Sequence, residues 1–189
     1  MKLKADMIVK KFPIQLESKE ILTDFVNLNK DRLLTNHDLV KGGKSSFGGA
    51  GKLFVQLPPK IIDELKNYIL SAVDNKYRLL DMWINIHPPK AYVTSHNHYT
   101  KKYPNMLSGV YYLKKPKNSG NIVFEKGAVN IEEGDLIIFR QPSKGGQHWT
   151  EQNNSDKDRI VVSFNIIPNE NNNNSSNRDS AHFSHHRRS

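Results

Sequence analysis

The sequence predicts a mainly β protein with flanking α-helices, in which a β-sandwich or barrel carries helices on one side. Two stretches with helical spacing of apolar residues come first, and five short strand-like segments bounded by Pro, Gly or Asn follow them. The chain has 189 residues, a length that suits one domain. Hydrophobic residues make up 37% of the chain, which is enough for a core of ordinary size.

The elements before residue 78 are predicted from Pro and Ser residues at their ends and from the spacing of their apolar residues. Residues 1–13 are expected to form a short strand or arm that ends at Pro13. A helix is expected over residues 18–34, where Ser18 can cap its start. A second helix is expected over residues 59–75, because Pro suits a first turn. The apolar residues that recur with helical spacing are Ile21, Leu22, Phe25, Val26 and Leu28 in the first helix and Ile61, Ile62, Leu65, Ile69, Leu70 and Val73 in the second.

Two segments have the composition of irregular chain. Residues 35–54 are rich in Gly, Ser and Asn, so we expect a long flexible loop there, either a lid over a binding site or a plain surface excursion. Residues 169–189 form a low-complexity tail rich in Asn, Ser and His, which we expect to be disordered. One domain is therefore expected over residues 1–168, with its helices within residues 18–75 and its β core over residues 78–168. The strands of this core are expected at 79–87, 107–113, 121–125, 135–140 and 159–167.

Composition excludes several classes of site. The chain has no cysteine, so disulfides, thiolate nucleophiles, zinc–thiolate sites and iron–sulfur clusters are absent, and a transition metal needs His or carboxylate ligands. No run approaches the roughly 20 apolar residues of a membrane span, so we expect no membrane association and a cytoplasmic location. The net charge of +9 favours polyanionic partners such as nucleic acid or acidic peptides, although scattered lysines are more typical of a solvated surface.

Two predicted strands each separate into an apolar face and a polar face, because alternate residues of a strand point to opposite sides. In the last strand, Ile160, Val162, Phe164 and Ile166 alternate with Arg159, Val161, Ser163 and Asn165. In the strand at 82–87, Met82, Ile84 and Ile86 alternate with Trp83, Asn85 and His87. The polar faces lack the Lys, Glu and Thr of a surface strand. They suit the inside of a barrel that holds a polar ligand, and the alternative is a half-exposed antiparallel sheet.

Three of the eight histidines have the spacing of a metal site. His96 and His98 are two residues apart in an extended segment, which puts both imidazoles on one side and within reach of one ion. His148 follows a predicted strand and a turn, and it can supply a third ligand. A facial set of three ligands leaves open positions for a bidentate organic ligand and dioxygen, as non-haem iron(II) requires. Unrelated surface or core histidines are the alternative interpretation.

Arg159 adds an anion-binding group to the same face. It lies eleven residues after His148 and shares its strand face with Ser163. A buried arginine needs an anionic partner, and a dicarboxylate that bridges the metal and the guanidinium would supply one. The alternative is a structural salt bridge with Asp156 or Asp158.

Six segments of the predicted core form an ordered set: Met82-Trp-Ile-Asn-Ile, Ser95-His-Asn-His, Leu107-Ser-Gly-Val-Tyr-Tyr-Leu, Gly134-Asp-Leu-Ile-Ile-Phe, Gln147-His148 and Asp158-Arg-Ile-Val-Val-Ser-Phe-Asn. Together they resemble the iron(II)- and 2-oxoglutarate-dependent oxygenases. The resemblance covers about residues 78–168 and implies a double-stranded β-helix, or jelly-roll, core with the N-terminal helices packed on one sheet. It implies Fe(II), 2-oxoglutarate and dioxygen as cofactor and cosubstrates.

The resemblance also assigns roles to individual residues. His96 matches the first metal ligand, His148 the distal ligand, and Arg159 the residue that binds the far carboxylate of 2-oxoglutarate. His98 stands where most of the superfamily has a carboxylate, so either three histidines bind the metal or water takes the position of His98. Glu125 and Asp135 are further candidates for a carboxylate ligand.

By the same resemblance, four more residues are expected near the cosubstrate. Asn85 is expected to hydrogen-bond it close to the metal, and Ser163 is expected to assist Arg159. Tyr111 or Tyr112 is expected at the distal carboxylate, and because neighbours on a strand face opposite ways, the other tyrosine belongs to the core.

The activity that the resemblance implies is hydroxylation of a C–H bond. Its substrate is expected to be a peptidyl residue such as proline, with a nucleic-acid base as the second choice. Two other classes stay open: a cupin-like metal protein that uses three histidines and no 2-oxoglutarate, and a jelly-roll binding or structural module without activity. The sequence does not predict an oligomeric state.

Overall fold

The computed structural model describes residues 10–13, 16–33, 35–47, 57–73, 76–140 and 147–169. The tail predicted to be disordered over residues 169–189 therefore lies outside the described residues except for Asn169, and so do residues 1–9 of the predicted arm and residues 48–54 of the predicted loop. In the described part, the helices are α1 (Lys19–Leu33) and α2 (Pro59–Ser71). The strands are β1 (Lys10–Pro13), β2 (Thr35–His37), β3 (Val40–Ser45), β4 (Tyr77–His87), β5 (Tyr92–Val93), β6 (Leu107–Lys114), β7 (Ile122–Phe124), β8 (Gly127–Val129), β9 (Asp135–Arg140), β10 (His148–Thr150) and β11 (Arg159–Pro168).

The strands form two antiparallel sheets. The major sheet has the order β1-β9-β6-β11-β4-β3-β2, with β5 paired to β3, and the minor sheet has the order β10-β7-β8. Both helices contribute to a core on one face of the major sheet. The predicted fold class is therefore confirmed. All five strands predicted after residue 78 are present, with ends within three residues of those expected.

The apolar faces of the central strands meet the helices in the main core. Ile84 of β4 and Ile160, Val162 and Phe164 of β11 are buried there with Leu22 and Val26 of α1 and Ile61, Leu65 and Ile69 of α2. Two of the apolar positions in α1 face solvent instead, since the side chains of Ile21 and Leu28 are 59% and 85% exposed. Each lies roughly 100° or more around the helix axis from Leu22, which puts it outside the buried stripe. Neither described helix has the length and apolar character needed to span a bilayer.

The prediction of a loop over residues 35–54 is wrong for residues 35–45, which form the hairpin β2–β3 and extend the major sheet. Lys44 and Ser45 pair with Ile86 and Asn85 of β4. A Cβ atom on Gly43 would lie 2.4 Å from the carbonyl oxygen of Ile86, so this glycine permits close approach of two strands. The same residue type that indicated flexibility is here required by packing.

Candidate active site

The polar faces of β4 and β11 line a cavity of about 390 Å³. All seven residues that alternation assigned to these faces lie on its wall: Trp83, Asn85, His87, Arg159, Val161, Ser163 and Asn165. Residues from the minor sheet, among them Ile122 and His148, close the opposite side. These polar faces therefore line the inside of the fold, as one of the two interpretations predicted, and they do not belong to a half-exposed sheet.

His96, His98 and His148 meet on the wall of this cavity. A short antiparallel bridge joins the backbones of His96 and His148, with N–H···O distances of 3.0 Å in both directions. The ligand nitrogens of the three imidazoles all lie within 4.8 Å of one another. The fold thus brings together a pair two residues apart and a partner about fifty residues further along the chain.

The spacing of the imidazole nitrogens fits a single ion. Nε2 of His96 lies 3.2 Å from Nε2 of His98. Two nitrogens about 2.1 Å from one ion lie about 3 Å apart when their bonds are at right angles. The three histidines therefore have the geometry of ligands that converge on a common metal.

Burial keeps the three imidazoles neutral. It lowers the pKa of His148 to about 2 and that of His98 to about 4, and in both cases the neighbouring His96 adds to the effect. Burial also lowers the pKa of His96. A neutral imidazole presents a nitrogen lone pair, so all three rings are in the state that binds a metal at neutral pH.

Hydrogen bonds orient two of these rings. Nδ1 of His96 lies 2.8 Å from the carbonyl oxygen of Thr94, which requires the proton on Nδ1 and makes the Nε2 lone pair available to a metal. The His98 side chain hydrogen-bonds Asn165, an interaction that raises its pKa against the larger effect of burial. Oδ1 of Asn165 accepts from Oγ of Ser108, its register partner on β6, at 2.7 Å. The pair formed by Asn165 and Ser108, which spans two strands, thus supports the His98 side chain.

Aromatic side chains surround the same rings. The indole of Trp83 is stacked on His98 with ring centroids 6.0 Å apart, and Phe139 contacts His148 edge-on at 4.8 Å. Such contacts restrict the imidazoles to one orientation and keep water from their faces.

Neither carboxylate suggested by the sequence reaches the histidines. Among the described residues, the group of potential ligands contains the three histidines and no Asp or Glu. Glu125 is exposed after β7. Asp135 is buried at the start of β9, where its Oδ2 accepts a hydrogen bond of 2.6 Å from the backbone of Glu132. The candidate ligand set is therefore three neutral nitrogens.

Arg159 is fully buried in the wall of the cavity. Its donors reach Nδ1 of His87, Oγ1 of Thr150 and the carbonyl oxygens of Ser119 and Glu151. The salt bridge that offered the alternative interpretation is not formed, because Asp158 pairs with Lys30 at 3.5 Å and no ion pair involves Arg159 in the described part of the chain. Burial lowers the pKa of Arg159, but an arginine stays charged in proteins. The cavity wall thus carries a desolvated cation that has no counterion at ion-pair distance among the described residues, and the charge of Glu151 offsets the effect of burial on the pKa of Arg159 only in part.

Of the remaining predicted residues, Asn85, Ser163 and Tyr112 line the cavity and Tyr111 does not. Asn85 lines the cavity, where its Oδ1 accepts from Oγ of Ser45 at 2.6 Å and its Nδ2 donates to Oγ of Ser163 at 3.1 Å. Tyr112 also lines the cavity, and burial raises its pKa to about 12, so its hydroxyl is neutral. Tyr111 points away into the core beneath the helices, and of the two tyrosines it is the one that fills the core position.

Sequence analysis placed His87 on the polar face without a role of its own, and it missed Thr150 and Ser45 as residues of this wall. His87 is the register partner of Arg159, so strand pairing was the signal that placed them together. Thr150 stands two residues after His148 in β10, and period-two alternation puts both on one side. Ser45 lay in the segment predicted as a loop.

Known proteins match this chain in structure rather than in sequence. No protein-family model and no curated protein matches the sequence. Solved structures do match: a viral collagen prolyl hydroxylase from Paramecium bursaria Chlorella virus-1, in complex with 2-oxoglutarate, superposes with a TM-score of 0.57 at 17% identity, over 85% of this chain and 96% of that one. This chain has the double-stranded β-helix fold of that hydroxylase.

Two further structures agree on this fold. A prolyl-4-hydroxylase from Pseudomonas putida gives a TM-score of 0.53 at 13% identity, over 87% of this chain and 95% of that one. HygX from Streptomyces hygroscopicus, with nickel, 2-oxoglutarate and hygromycin B bound, gives 0.54 at 14%, over 87% and 83%. The jelly-roll core expected from the sequence is therefore confirmed.

Proposed function

We propose that this protein is an iron(II)- and 2-oxoglutarate-dependent oxygenase that hydroxylates a C–H bond. The observation that carries the proposal is a single cavity whose wall holds both three neutral, convergent histidines and a buried arginine without a counterion in the described part of the chain. A histidine cluster alone fits many metal proteins, and a buried arginine alone fits many anion sites. Together they fit a ligand that is bound by a metal at one end and is anionic at the other.

The metal would be held by His96, His98 and His148. When bound, iron(II), 2-oxoglutarate and dioxygen supply the oxidising chemistry: the cosubstrate is consumed to succinate and carbon dioxide, and one oxygen atom enters a substrate C–H bond. The carbonyl oxygen of Thr94 holds the proton of His96 on Nδ1, away from the metal side, and Asn165 hydrogen-bonds the His98 side chain. Three neutral ligands leave the full 2+ charge of the ion to attract an anionic cosubstrate. Two histidines and a carboxylate would lower the net charge of the site by one unit.

The far carboxylate of 2-oxoglutarate would lie against Arg159, where it would serve as the counterion that the described residues do not supply. Asn85 and Ser163 would add polar contacts along the cosubstrate, and Tyr112 a neutral hydroxyl. Nη1 of Arg159 is bound to two backbone carbonyls, so the guanidinium is pre-oriented before the ligand arrives. Such pre-orientation lowers the ordering cost of binding.

Three aromatic side chains form an apolar wall for the substrate. Trp83 is buried beside His98, and Phe47 contacts it edge-on with ring centroids 4.9 Å apart. Phe47 and Tyr99 line the same cavity and are 44% and 39% exposed, so both are accessible from outside. Flat apolar walls suit the ring of a peptidyl proline, and two of the similar structures are prolyl hydroxylases. A peptidyl residue such as proline is therefore our first choice of substrate, and a nucleic-acid base is the second. The cytoplasmic location likewise stays a proposal.

Anaerobic titration of the protein with iron(II) and then 2-oxoglutarate tests the function. We expect a weak visible charge-transfer band that develops only when both are present. A cupin-like protein would bind the metal without producing the band on addition of 2-oxoglutarate, and a binding or structural module would bind no iron(II). A peptide panel with and without proline, scored by succinate release under air, then tests the substrate choice.

A further inference from the structure

Most hydrogen-bonding capacity of Arg159 is already used inside the protein. A guanidinium has five N–H donors. Nε–H donates to Nδ1 of His87 at 3.3 Å, Nη1 donates to the carbonyl oxygens of Ser119 and Glu151, and Nη2 donates to Oγ1 of Thr150 at 3.0 Å. One N–H group, on Nη2, is left among the contacts of the described residues. A bidentate contact between a guanidinium and a carboxylate needs two such groups.

Thr150 holds a second donor at the same place. Its Oγ1 accepts from the backbone N–H of Val93 at 2.9 Å and from Nη2 of Arg159 at 3.0 Å. A hydroxyl has two acceptor lone pairs and one donor proton. Both lone pairs are occupied, so the hydroxyl of Thr150 is restricted to the role of donor. Thr150 also lines the cavity, and its side chain adjoins the one nitrogen of Arg159 that retains a donor.

We propose that Thr150 binds the far carboxylate of 2-oxoglutarate directly, its hydroxyl and the remaining Nη2–H of Arg159 forming the donor pair. The inference rests on the proposed function and deepens it, because it assigns part of the selectivity for a dicarboxylate to a threonine that sequence reasoning passed over. The carboxylate accepts one hydrogen bond from the hydroxyl and one from Nη2. The two bonds go either to different carboxylate oxygens or to the same one.

His87 fixes the orientation of the Arg159 guanidinium in this donor pair. It faces Arg159 across β4 and β11 as a register partner, and acceptance of the Nε–H proton requires an unprotonated Nδ1. Burial, with the charge of Arg159 adding to it, lowers the pKa of His87 well below its ordinary value, so the ring stays neutral. With Nε and Nη1 both bound, the guanidinium plane is fixed, and Nη2 is the nitrogen presented to the ligand.

Two ligands that differ only at the far end separate this role from general packing. 2-Oxovalerate has a methyl group in place of the far carboxylate of 2-oxoglutarate and keeps the end that binds the metal. Calorimetry on the zinc(II)-loaded protein measures both affinities without redox chemistry. The variants are Thr150→Val, which removes the hydroxyl at similar volume, and Thr150→Ser, which keeps it. Thr23→Val is the matched control, because Thr23 lies on α1 and its hydroxyl donates to the carbonyl of Lys19.

We expect Thr150→Val to weaken 2-oxoglutarate binding about 10- to 100-fold, the usual effect of a hydrogen bond to a charged group. Binding of 2-oxovalerate should stay within about twofold of the wild type. Thr150→Ser and Thr23→Val should bind both ligands like the wild type. The inference is overturned if Thr150→Val keeps full affinity for 2-oxoglutarate, or if it loses both ligands equally.

A crystal structure of the wild-type complex with zinc(II) and 2-oxoglutarate gives an independent answer that no folding defect can obscure. The inference requires a carboxylate oxygen within hydrogen-bond distance of Oγ1 of Thr150. A carboxylate bound by Arg159 with Thr150 more than about 3.5 Å away would contradict it. A wild type that binds no 2-oxoglutarate at all would instead refute the proposed function.

Discussion

Replacement of Arg159 by alanine removes the cation that the cavity presents to a cosubstrate. The side chain is fully buried, lies on the cavity wall and has no ion pair among the described residues. In the ligand-free protein, the acceptors that the described residues offer this charge are all neutral: those of His87, Thr150 and two backbone carbonyls. The bound carboxylate would be its first counterion, so the substitution should act mainly on binding.

Loss of one partner of a desolvated charge pair costs about 2–5 kcal/mol. At about 1.4 kcal/mol per factor of ten, the affinity for 2-oxoglutarate should fall roughly 30- to 5000-fold. Arg159→Lys should recover part of this loss, because an ammonium keeps the charge but lacks the planar set of donors that His87 and the carbonyls hold in place. Metal binding should be unchanged, since Arg159 is not among the convergent nitrogens.

The stability of the variant is a poor indicator of the role of Arg159. Truncation removes a donor from four acceptors, of which Oγ1 of Thr150 keeps the backbone N–H of Val93. Each acceptor left unpaired costs about 1–3 kcal/mol, but the truncation also removes a buried cation whose desolvation is unfavourable. These terms oppose each other in the free energy of unfolding. The affinity for 2-oxoglutarate reports the contact between Arg159 and the ligand, so it distinguishes a binding role of Arg159 from a structural one.

Calorimetric titration of 2-oxoglutarate into the zinc(II)-loaded wild type, Arg159→Ala and Arg159→Lys measures the effect. Arg78→Ala is a matched control, because Arg78 is an exposed residue on β4 that does not line the cavity. The reasoning fails if Arg159→Ala binds 2-oxoglutarate as tightly as Arg78→Ala does. A purely structural arginine would give that result whatever the change in the midpoint of thermal unfolding.

The remaining predictions concern the metal. His96→Ala or His148→Ala should abolish iron(II) binding with the fold retained by circular dichroism, and a variant that keeps full affinity would show that its residue is not a ligand. His98→Asp should retain or tighten iron(II) binding, because a carboxylate restores a negative charge to the site, whereas complete loss of metal would argue that His98 does not occupy a ligand position. Asn165→Ala should lower metal affinity about 10- to 100-fold through the orientation of His98, and chelator competition that shows no change would contradict this.

The parts of the molecule that sequence could predict are those with a local signal. Alternation on β11 assigned Phe164 to the core and Ser163 to the cavity, and both assignments are confirmed, because a strand has only two faces. The spacing of His96 and His98 indicated a common site for the same reason. His148 was found from its order along the chain and from the resemblance, not from any local pattern.

The parts that sequence could not predict depend on contacts between distant segments. In the sequence Gly43 is typical of a loop, and only the fold shows that it packs against the carbonyl oxygen of Ile86. The choice between Tyr111 and Tyr112 depends on which face of β6 meets the helices. The donors of Arg159 are satisfied by a carbonyl forty residues away, at Ser119, so the number left for a ligand becomes countable only once the fold is known.

If the metal and 2-oxoglutarate occupy one cavity, they bind each other as well as the protein. The direct measurement is the affinity for 2-oxoglutarate with and without zinc(II) on the wild-type protein, together with the affinity for zinc(II) with and without 2-oxoglutarate. Each ligand should strengthen binding of the other by the same factor, about tenfold or more, because coupling between two sites is reciprocal. Equal affinity for 2-oxoglutarate in the presence and absence of the metal would contradict it.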